Sequence, residues 1–389
     1  MDAQDIAGID LDALFDPVTL AGLSFPNRIA MSPMTREFAT DGVLPPESAP
    51  YYAARARGGA GLIITEATTV DHMVAHYSTR EPYMFGAAAL ERWRDVVEAV
   101  HAEGSLIFPQ IWHTGLSRRR RHTHNPDEPS IAASAVSSAE LALKAGDEAL
   151  PNRRSGTLPR PATEEDLEAV IVAFGEAAAQ AQALGFDGIA IHGAHGYLIY
   201  QFLWDRSNRR DDRWGGSMAN RSRLAIEIVR EVRRRTGPDF PIMFRFSQWS
   251  GWDYQARLAE TPRALEDFLT PLAEAGVDIF DASTRRFWQP AFEGSDLNLA
   301  GWAKKLTGRP VLTVGSVGLE APLGDEGDAS VAPALANLAR LAQMLARGEF
   351  DLVGVGRALL ADPDWPAKVR AHRWGDLLPY DKEAAERAL

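Results

Sequence analysis

The stretch TEEDLEAVIVAFGEAAAQAQALGFDGIAIHG, residues 163–193, decides the fold. Thr163 stands where a helix N-cap belongs, and Glu164, Glu165 and Asp166 in the first turn suit the positive end of the helix. Leu167, Val170, Ile171, Phe174, Ala178 and Ala181 recur on one helical face, and Gly185 follows the end. GIAIHG (188–193) then runs apolar without alternation. That pattern belongs to a parallel strand covered on both faces.

Outward from this unit the rhythm repeats. RIAMSPM (28–34), GLIITEA (61–67), SLIFPQIW (105–112), PIMFRFS (241–247), DIFDAS (278–283), PVLTVGS (310–316) and DLVGVG (351–356) read as further strands, eight with 188–193. Helical patterns over 87–103, 219–235, 261–275 and 332–347 lie between them. Eight βα units predict an α/β fold, a (β/α)8 TIM barrel, forming one domain over 1–389. Residues 115–162 break the rhythm with RRRR, an Ala/Ser tract and prolines. A loop of that length after the third strand opens onto the catalytic face, so it is read as an excursion over the active site.

Composition narrows the chemistry. The 389 residues are 46% hydrophobic and 24% charged, which excludes a disordered or fibrous chain. Lys and Arg number 41 against 53 Asp and Glu, and a net charge of −12 repels phosphate backbones and anionic membranes. Neither is expected as a partner. No cysteine is present, so disulfides, thiolate zinc sites, iron–sulfur clusters and cysteine nucleophiles are excluded. Redox chemistry would need an organic cofactor or a metal on other ligands. The acidic start MDAQDIAGID lacks signal-peptide character and no run of about 18 apolar residues occurs, so the expected location is the cytoplasm.

Barrel enzymes carry function at the C-terminal ends of their strands. Gly315-Ser316 and Gly356-Arg357 end strands seven and eight, where such barrels commonly bind phosphate; simple turns with Arg357 paired to a surface carboxylate are the alternative. GVGRAL is not a dinucleotide fingerprint, because the third glycine is missing. His192, His195 and Tyr197 follow strand four, and two imidazoles beside a phenol can hold a polarised oxygen and protonate carbon. A structural hydrogen-bonded pair is the competing reading. HxxH without a carboxylate or cysteine is a poor zinc signature, so no metal is predicted. Arg245 sits inside an apolar strand and needs an anionic partner, either Glu66 at the end of strand two or a cofactor that becomes negative. Gln110 offers the donor and acceptor that a heterocyclic amide edge requires.

Three blocks give these residues a context. LFDPVTLAGLSFPNRIAMSPMTR (14–36), HGAHGYLIYQFLWDRSNRRDDRWGGSMANR (192–221) and DLVGVGRALLADPDW (351–365), in that order, make the chain resemble the Old Yellow Enzyme family of flavin-dependent ene-reductases over essentially its whole length. The resemblance implies FMN, held without a covalent link across the strand ends. Pro33, Met34 and Thr35 match the turn that contacts the flavin, with Thr35 at the O4 region. Gln110 and Arg245 match the pyrimidine edge, and Gly315, Ser316, Gly356 and Arg357 the phosphate binders. His192, beside the flavin, and His195 match the pair that grips a carbonyl or nitro oxygen, and Tyr197 matches the proton donor. The implied cycle is ping-pong: NADPH or NADH reduces the flavin and leaves. An activated alkene (enone, nitroalkene or maleimide) then accepts hydride from N5 at its β-carbon and a proton at its α-carbon.

Some positions depart from the common pattern. Thr35 stands where one branch of the family carries cysteine, and Trp204-Asp205-Arg206 replaces a smaller segment. Trp112, Trp249, Trp252 and Phe287, with Trp288, are expected to shape the substrate pocket. Arg118–Arg121 are either a clamp for NAD(P)H phosphates or a solvated charge run. A flavin enzyme working in the oxidative direction, as a dehydrogenase or demethylase, is the alternative activity, and a flavin-binding sensor the alternative class. No lysine ends a strand, which disfavours Schiff-base chemistry. Monomer and homodimer are both open.

Overall fold

In the computed structural model the described residues are 11–142, 158–320 and 334–387. Eight parallel strands close into a barrel; seven fall inside one of the eight apolar runs, and the strand of GLIITEA (61–67) runs on to Thr69. They are β1 (Ile29–Met31), β2 (Leu62–Thr69), β3 (Leu106–Trp112), β4 (Ile189–His192), β5 (Ile242–Ser247), β6 (Ile279–Ser283), β7 (Val311–Val314) and β8 (Leu352–Val355). Each strand pairs with its neighbours in chain order, and β8 closes onto β1.

Helices cover the outside: α1 (Ser48–Arg57), α2 (Ala87–Ala102), α3 (Glu164–Ala183), α4 (Arg223–Thr236), α5 (Pro262–Ala275), α6 (Leu299–Thr307), α7 (Leu335–Ala346) and α8 (Trp365–Arg370). Helix α3 starts on a full capping box, in which Thr163 Oγ1 accepts from the Asp166 N–H and Asp166 accepts from the Thr163 N–H at 2.7 Å. The pattern over 219–235 resolves into a single turn, Met218–Arg221, and then α4. Helices α1 and α6 had no assignment from the sequence. In α1 the alanines and arginines give little amphipathic contrast, and α6 has only nine residues.

The barrel has two apolar layers. Ala30, Leu62, Ile64, Phe108, Ala190, Met243, Ile279 and Leu352 fill its interior, and Phe25, fully buried, plugs the N-terminal end. Phe25 arrives on a hairpin that pairs Val18–Leu20 with Leu23–Phe25. Alternate residues such as Ile63, Ile107 and Ile191 face the helices, so both faces of each strand are covered.

The 115–162 excursion contains two single 3-10 turns, a two-residue pairing of Ile131–Ala132 with Arg160–Pro161, and a short helix, Ser138–Ala142. Its part over 143–157 lies outside the described residues. No helix among the described residues is long and apolar enough to cross a membrane.

Candidate active site

The C-terminal strand ends surround a cavity of about 490 Å³. Pro33, Met34 and Thr35 line it from the turn after β1, Gly315 and Ser316 from β7, and Gly356 and Arg357 from β8; His195, Arg245 and Trp249 stand in its wall. Gly315 is required by the backbone: its φ is +150°, and a Cβ there would stand 2.5 Å from Thr284 Oγ1. Ser316 is left-handed at φ +53° without being glycine. Asn337 of α7 holds this turn, donating to the carbonyls of Ser316 and Leu319 while its Oδ1 accepts from the Gly318 N–H.

Strand register puts three polar side chains on one rung, with His192 of β4 opposite Arg245 of β5 and Arg245 opposite Asp281 of β6. Arg245 Nη1 donates to Asp281 Oδ2 at 3.0 Å, and the two side chains are 7% and 1% exposed. Burial pushes the Asp281 carboxyl up, while the guanidinium beside it pulls it down. Asp281 is thus the anion that Arg245 needs. Glu66, one of the two partners left open by the sequence, is not that anion: it sits at a bulge in β2 and accepts instead from the Arg36 N–H at 2.9 Å and from Tyr52 Oη at 3.3 Å. Burial pushes Glu66 up to about 7.

Histidines and aromatic rings form a continuous array beside the cavity. The His192 and His195 rings lie 5.0 Å apart at right angles, and Tyr197 lies 4.9 Å from His192. Trp112 packs edge-on against Tyr197 at 4.6 Å, and Trp249 stacks on His195 at 4.3 Å. Nδ1 of His192 accepts from the Ala194 N–H at 3.3 Å, which leaves the proton of the neutral ring on Nε2. His195 is left-handed at φ +62° and its Nε2 meets Ser283 Oγ at 2.7 Å. Ser283 Oγ also accepts from Arg245 Nη2 at 3.3 Å, so one hydroxyl links the rung to the histidine pair. Gln201, fully buried, ties the neighbouring loops: its Oε1 accepts from the Leu116 N–H at 3.1 Å and its Nε2 donates to the Gly196 carbonyl at 2.8 Å.

Gln110 is 2% exposed, and its Nε2 has no hydrogen-bond partner within the protein; the same holds for Ser32 Oγ, which lies against the cavity. Buried polar atoms of this kind call for a partner supplied from elsewhere. Of the five aromatic residues expected in the pocket, Trp249 lines the cavity and Trp112, Trp252, Phe287 and Trp288 do not. Trp252 is fully buried beneath Gly196, where a Cβ would stand 2.9 Å from its ring, and Phe287 is fully buried, its N–H donating to the Gly315 carbonyl. They support the walls from behind.

The arginine run is not aimed at the cavity either, since none of Arg118–Arg121 lines it. Arg118 is buried and donates to the carbonyls of Glu128 and Asn125 and to Thr123 Oγ1, fastening the excursion to itself. Asp281, Ser283 and Asn337 were missed from the sequence. Only for Asp281 was a signal present, a lone acid inside an apolar strand.

Residues 13–375 match the model of the NADH:flavin oxidoreductase / NADH oxidase family. An NADH oxidase from Thermoanaerobacter brockii is 34% identical over 375 residues, which is 94% of this chain and 52% of that protein. The chain therefore spans about half the length of that relative. It spans 91% of chanoclavine-I aldehyde reductase fgaOx3 from Penicillium roqueforti, at 32% identity and with 95% of this chain covered. The structure of morphinone reductase in complex with tetrahydroNAD superposes with a TM-score of 0.76 and 26% identity, covering 96% of this chain and 94% of that one.

Proposed function

The chain belongs to the NADH:flavin oxidoreductase / NADH oxidase family, flavin oxidoreductases that pair FMN with a nicotinamide nucleotide, and from that premise we propose that it reduces activated C=C bonds with NAD(P)H. The reading rests on one convergence. The turn at 33–35, the glycine-bearing ends of β7 and β8, and Arg245 line a single cavity, with the His192, His195 and Tyr197 rings beside it.

The residues present fit FMN. Gly315, Ser316, Gly356 and Arg357 offer backbone and a forked cation for its phosphate. Ser32 Oγ, in the cavity wall beside Gly356, and Gln110 Nε2 are buried polar atoms that a bound cofactor would satisfy, and Pro33, Met34, Thr35 and Arg245 would flank its ring. When bound, FMN supplies hydride chemistry at N5.

The chain's own groups act on the alkene. His192 donates from Nε2, and His195 donates once its Nε2 exchanges Ser283 for the ligand. Two donors on a carbonyl or nitro oxygen withdraw charge and make the β-carbon electrophilic. Tyr197 delivers the proton to the α-carbon from its hydroxyl. Trp112 and Trp249 keep water from the two ends of the array and hold the acid and the histidine in place. Because Asp281 already balances Arg245, that guanidinium adds little net positive charge to the site.

An anaerobic titration tests the reading. The purified protein with FMN should be bleached by NADPH or NADH and recoloured by enones, nitroalkenes or maleimides. A protein that does not take up FMN, or stays bleached with every alkene, would overturn it.

A further inference from the structure

Helix α1 stands on the outside of the barrel, yet its Arg55 is 5% exposed and reaches the loop that follows β8. Nε of Arg55 donates to the Leu359 carbonyl at 3.3 Å and Nη2 to the Leu360 carbonyl at 3.2 Å, both in the short helical turn Arg357–Ala361. Nη1 donates to the Tyr51 carbonyl at 2.8 Å, and the guanidinium lies over the Tyr51 ring at 3.7 Å. The sequence leaves the two carbonyls of the turn without helical partners. Four places after Leu359 stands Pro363, which has no N–H, and four after Leu360 stands Asp364, whose N–H donates to Asp362 Oδ1 at 3.3 Å. A planar fork can span both carbonyls, and stacking on Tyr51 keeps it in one plane. Close approach of α1 is built in as well, since a Cβ at Gly58 would overlap the Pro363 carbonyl, and the Gly58 carbonyl accepts from the Ala367 N–H at 3.0 Å. The other end of the clamped turn is the cavity wall, where Gly356 and Arg357 lie.

We propose that Arg55 is a positioning residue for the phosphate end of the cofactor: from outside the cavity it fixes the turn Arg357–Ala361, and with it the Gly356 backbone and the Arg357 side chain that would meet a phosphomonoester. The proposal rests on the reading of the cavity as an FMN site. Shape is one part of the effect and charge the other. Among the described residues the partners of Arg55 are carbonyls and an aromatic face, so its charge is not neutralised in place. A dianion bound at the start of the same turn is therefore favoured over a neutral group there.

The test measures release of flavin from protein loaded with FMN or with riboflavin, which lacks only the phosphate, followed by the return of flavin fluorescence on dilution. The proteins are wild type, Arg55→Gln, Arg55→Lys and Tyr52→Phe. Wild type should lose riboflavin about tenfold faster than FMN, or more. Arg55→Gln should speed FMN release by about tenfold or more and riboflavin release by less than about threefold. Arg55→Lys, which keeps the charge but not the fork, should fall between Arg55→Gln and wild type. Tyr52→Phe removes a buried hydrogen bond of the same helix, on the side of Glu66, and should leave the ratio of the two rates unchanged. If the wild type takes up FMN but no riboflavin, FMN on Arg357→Gln replaces riboflavin as the reference, and adding Arg55→Gln to it should change release by less than about threefold. Equal acceleration of both flavins, an unchanged FMN rate, or a shift from Tyr52→Phe as large as that from Arg55→Gln overturns the positioning role. So does failure of both Arg55 variants to fold, which would make Arg55 a residue of stability alone. In each of these cases a wild type that retains FMN leaves the reading of the cavity standing, whereas a wild type that takes up neither flavin overturns that reading and the positioning role with it.

Discussion

The two ends of this barrel are made of opposite materials. At the N-terminal end Phe25 and its hairpin close the interior against Leu62, Phe108 and Leu352 with apolar side chains. At the C-terminal end the same strands finish in a buried ion pair, buried polar atoms without a protein partner such as Gln110 Nε2 and Ser32 Oγ, and non-glycine residues Glu37, His195 and Ser316 in left-handed backbone, against Ala21 alone in the hairpin of the closed end. Left-handed positions and unsatisfied polar groups each cost on the order of 1–3 kcal/mol. The closed end offsets that cost, and the open end uses it to hold reactive groups in a fixed geometry.

Four measurements would break or sharpen the contrast. Tyr197→Phe should have the largest effect: the alkene half-reaction slows by about 10²- to 10⁴-fold. Bleaching by NAD(P)H and the unfolding midpoint should stay as they are. Stopped-flow kinetics of the two halves check it, and an unchanged alkene rate removes Tyr197 from the role. Phe25→Ala is the mirror experiment, expected to reduce stability in urea by about 3–5 kcal/mol. Both half-reactions should proceed at wild-type rates in the remaining folded protein, and a parallel fall in rate would show that the ends are not separable.

Asp281→Asn crosses the divide. It leaves Arg245 as a buried cation with a neutral neighbour, and stability should fall by about 3 kcal/mol. The reduction potential of the bound flavin should rise, because the guanidinium is no longer balanced. An unchanged potential would mean that Arg245 does not act on the ring.

The smallest effect is one of pH. Burial pushes Glu66 and Glu81 up to about 7, and both are held by hydrogen bonds to the loops of the open end. Between the ordinary carboxylate range and about 7, the folded chain keeps protons that the unfolded chain has released. Stability should therefore decline as pH rises through that window, by at most on the order of 3 kcal/mol per group, and level off above it. Urea midpoints at several pH values check the slope, and Glu66→Gln or Glu81→Gln should flatten it.

Much of the architecture was legible because buried parallel strands leave unbroken apolar runs, and all eight runs hold a strand. The polar end was legible residue by residue but not pair by pair. Arg245 announced its need for an anion, yet the identity of that anion depends on register between β5 and β6, which no local pattern encodes. Trp252 and Phe287 follow strand ends just as Trp249 does, but Gly196 leaves a space that draws the Trp252 ring inward, and Phe287 turns beneath Gly315. Charge was read where it was dense along the chain, at Arg118–Arg121. Arg55 gave no such signal, because the carbonyls it reaches stand 304 and 305 positions further along the chain.

The bonds made by Gln201 couple the root of the long excursion to the turn that carries His195 and Tyr197. A one-residue insertion at that root, near Leu116, would shift the turn and the Tyr197 ring with it, so the length of the excursion's first residues is tied to the geometry of the ring array.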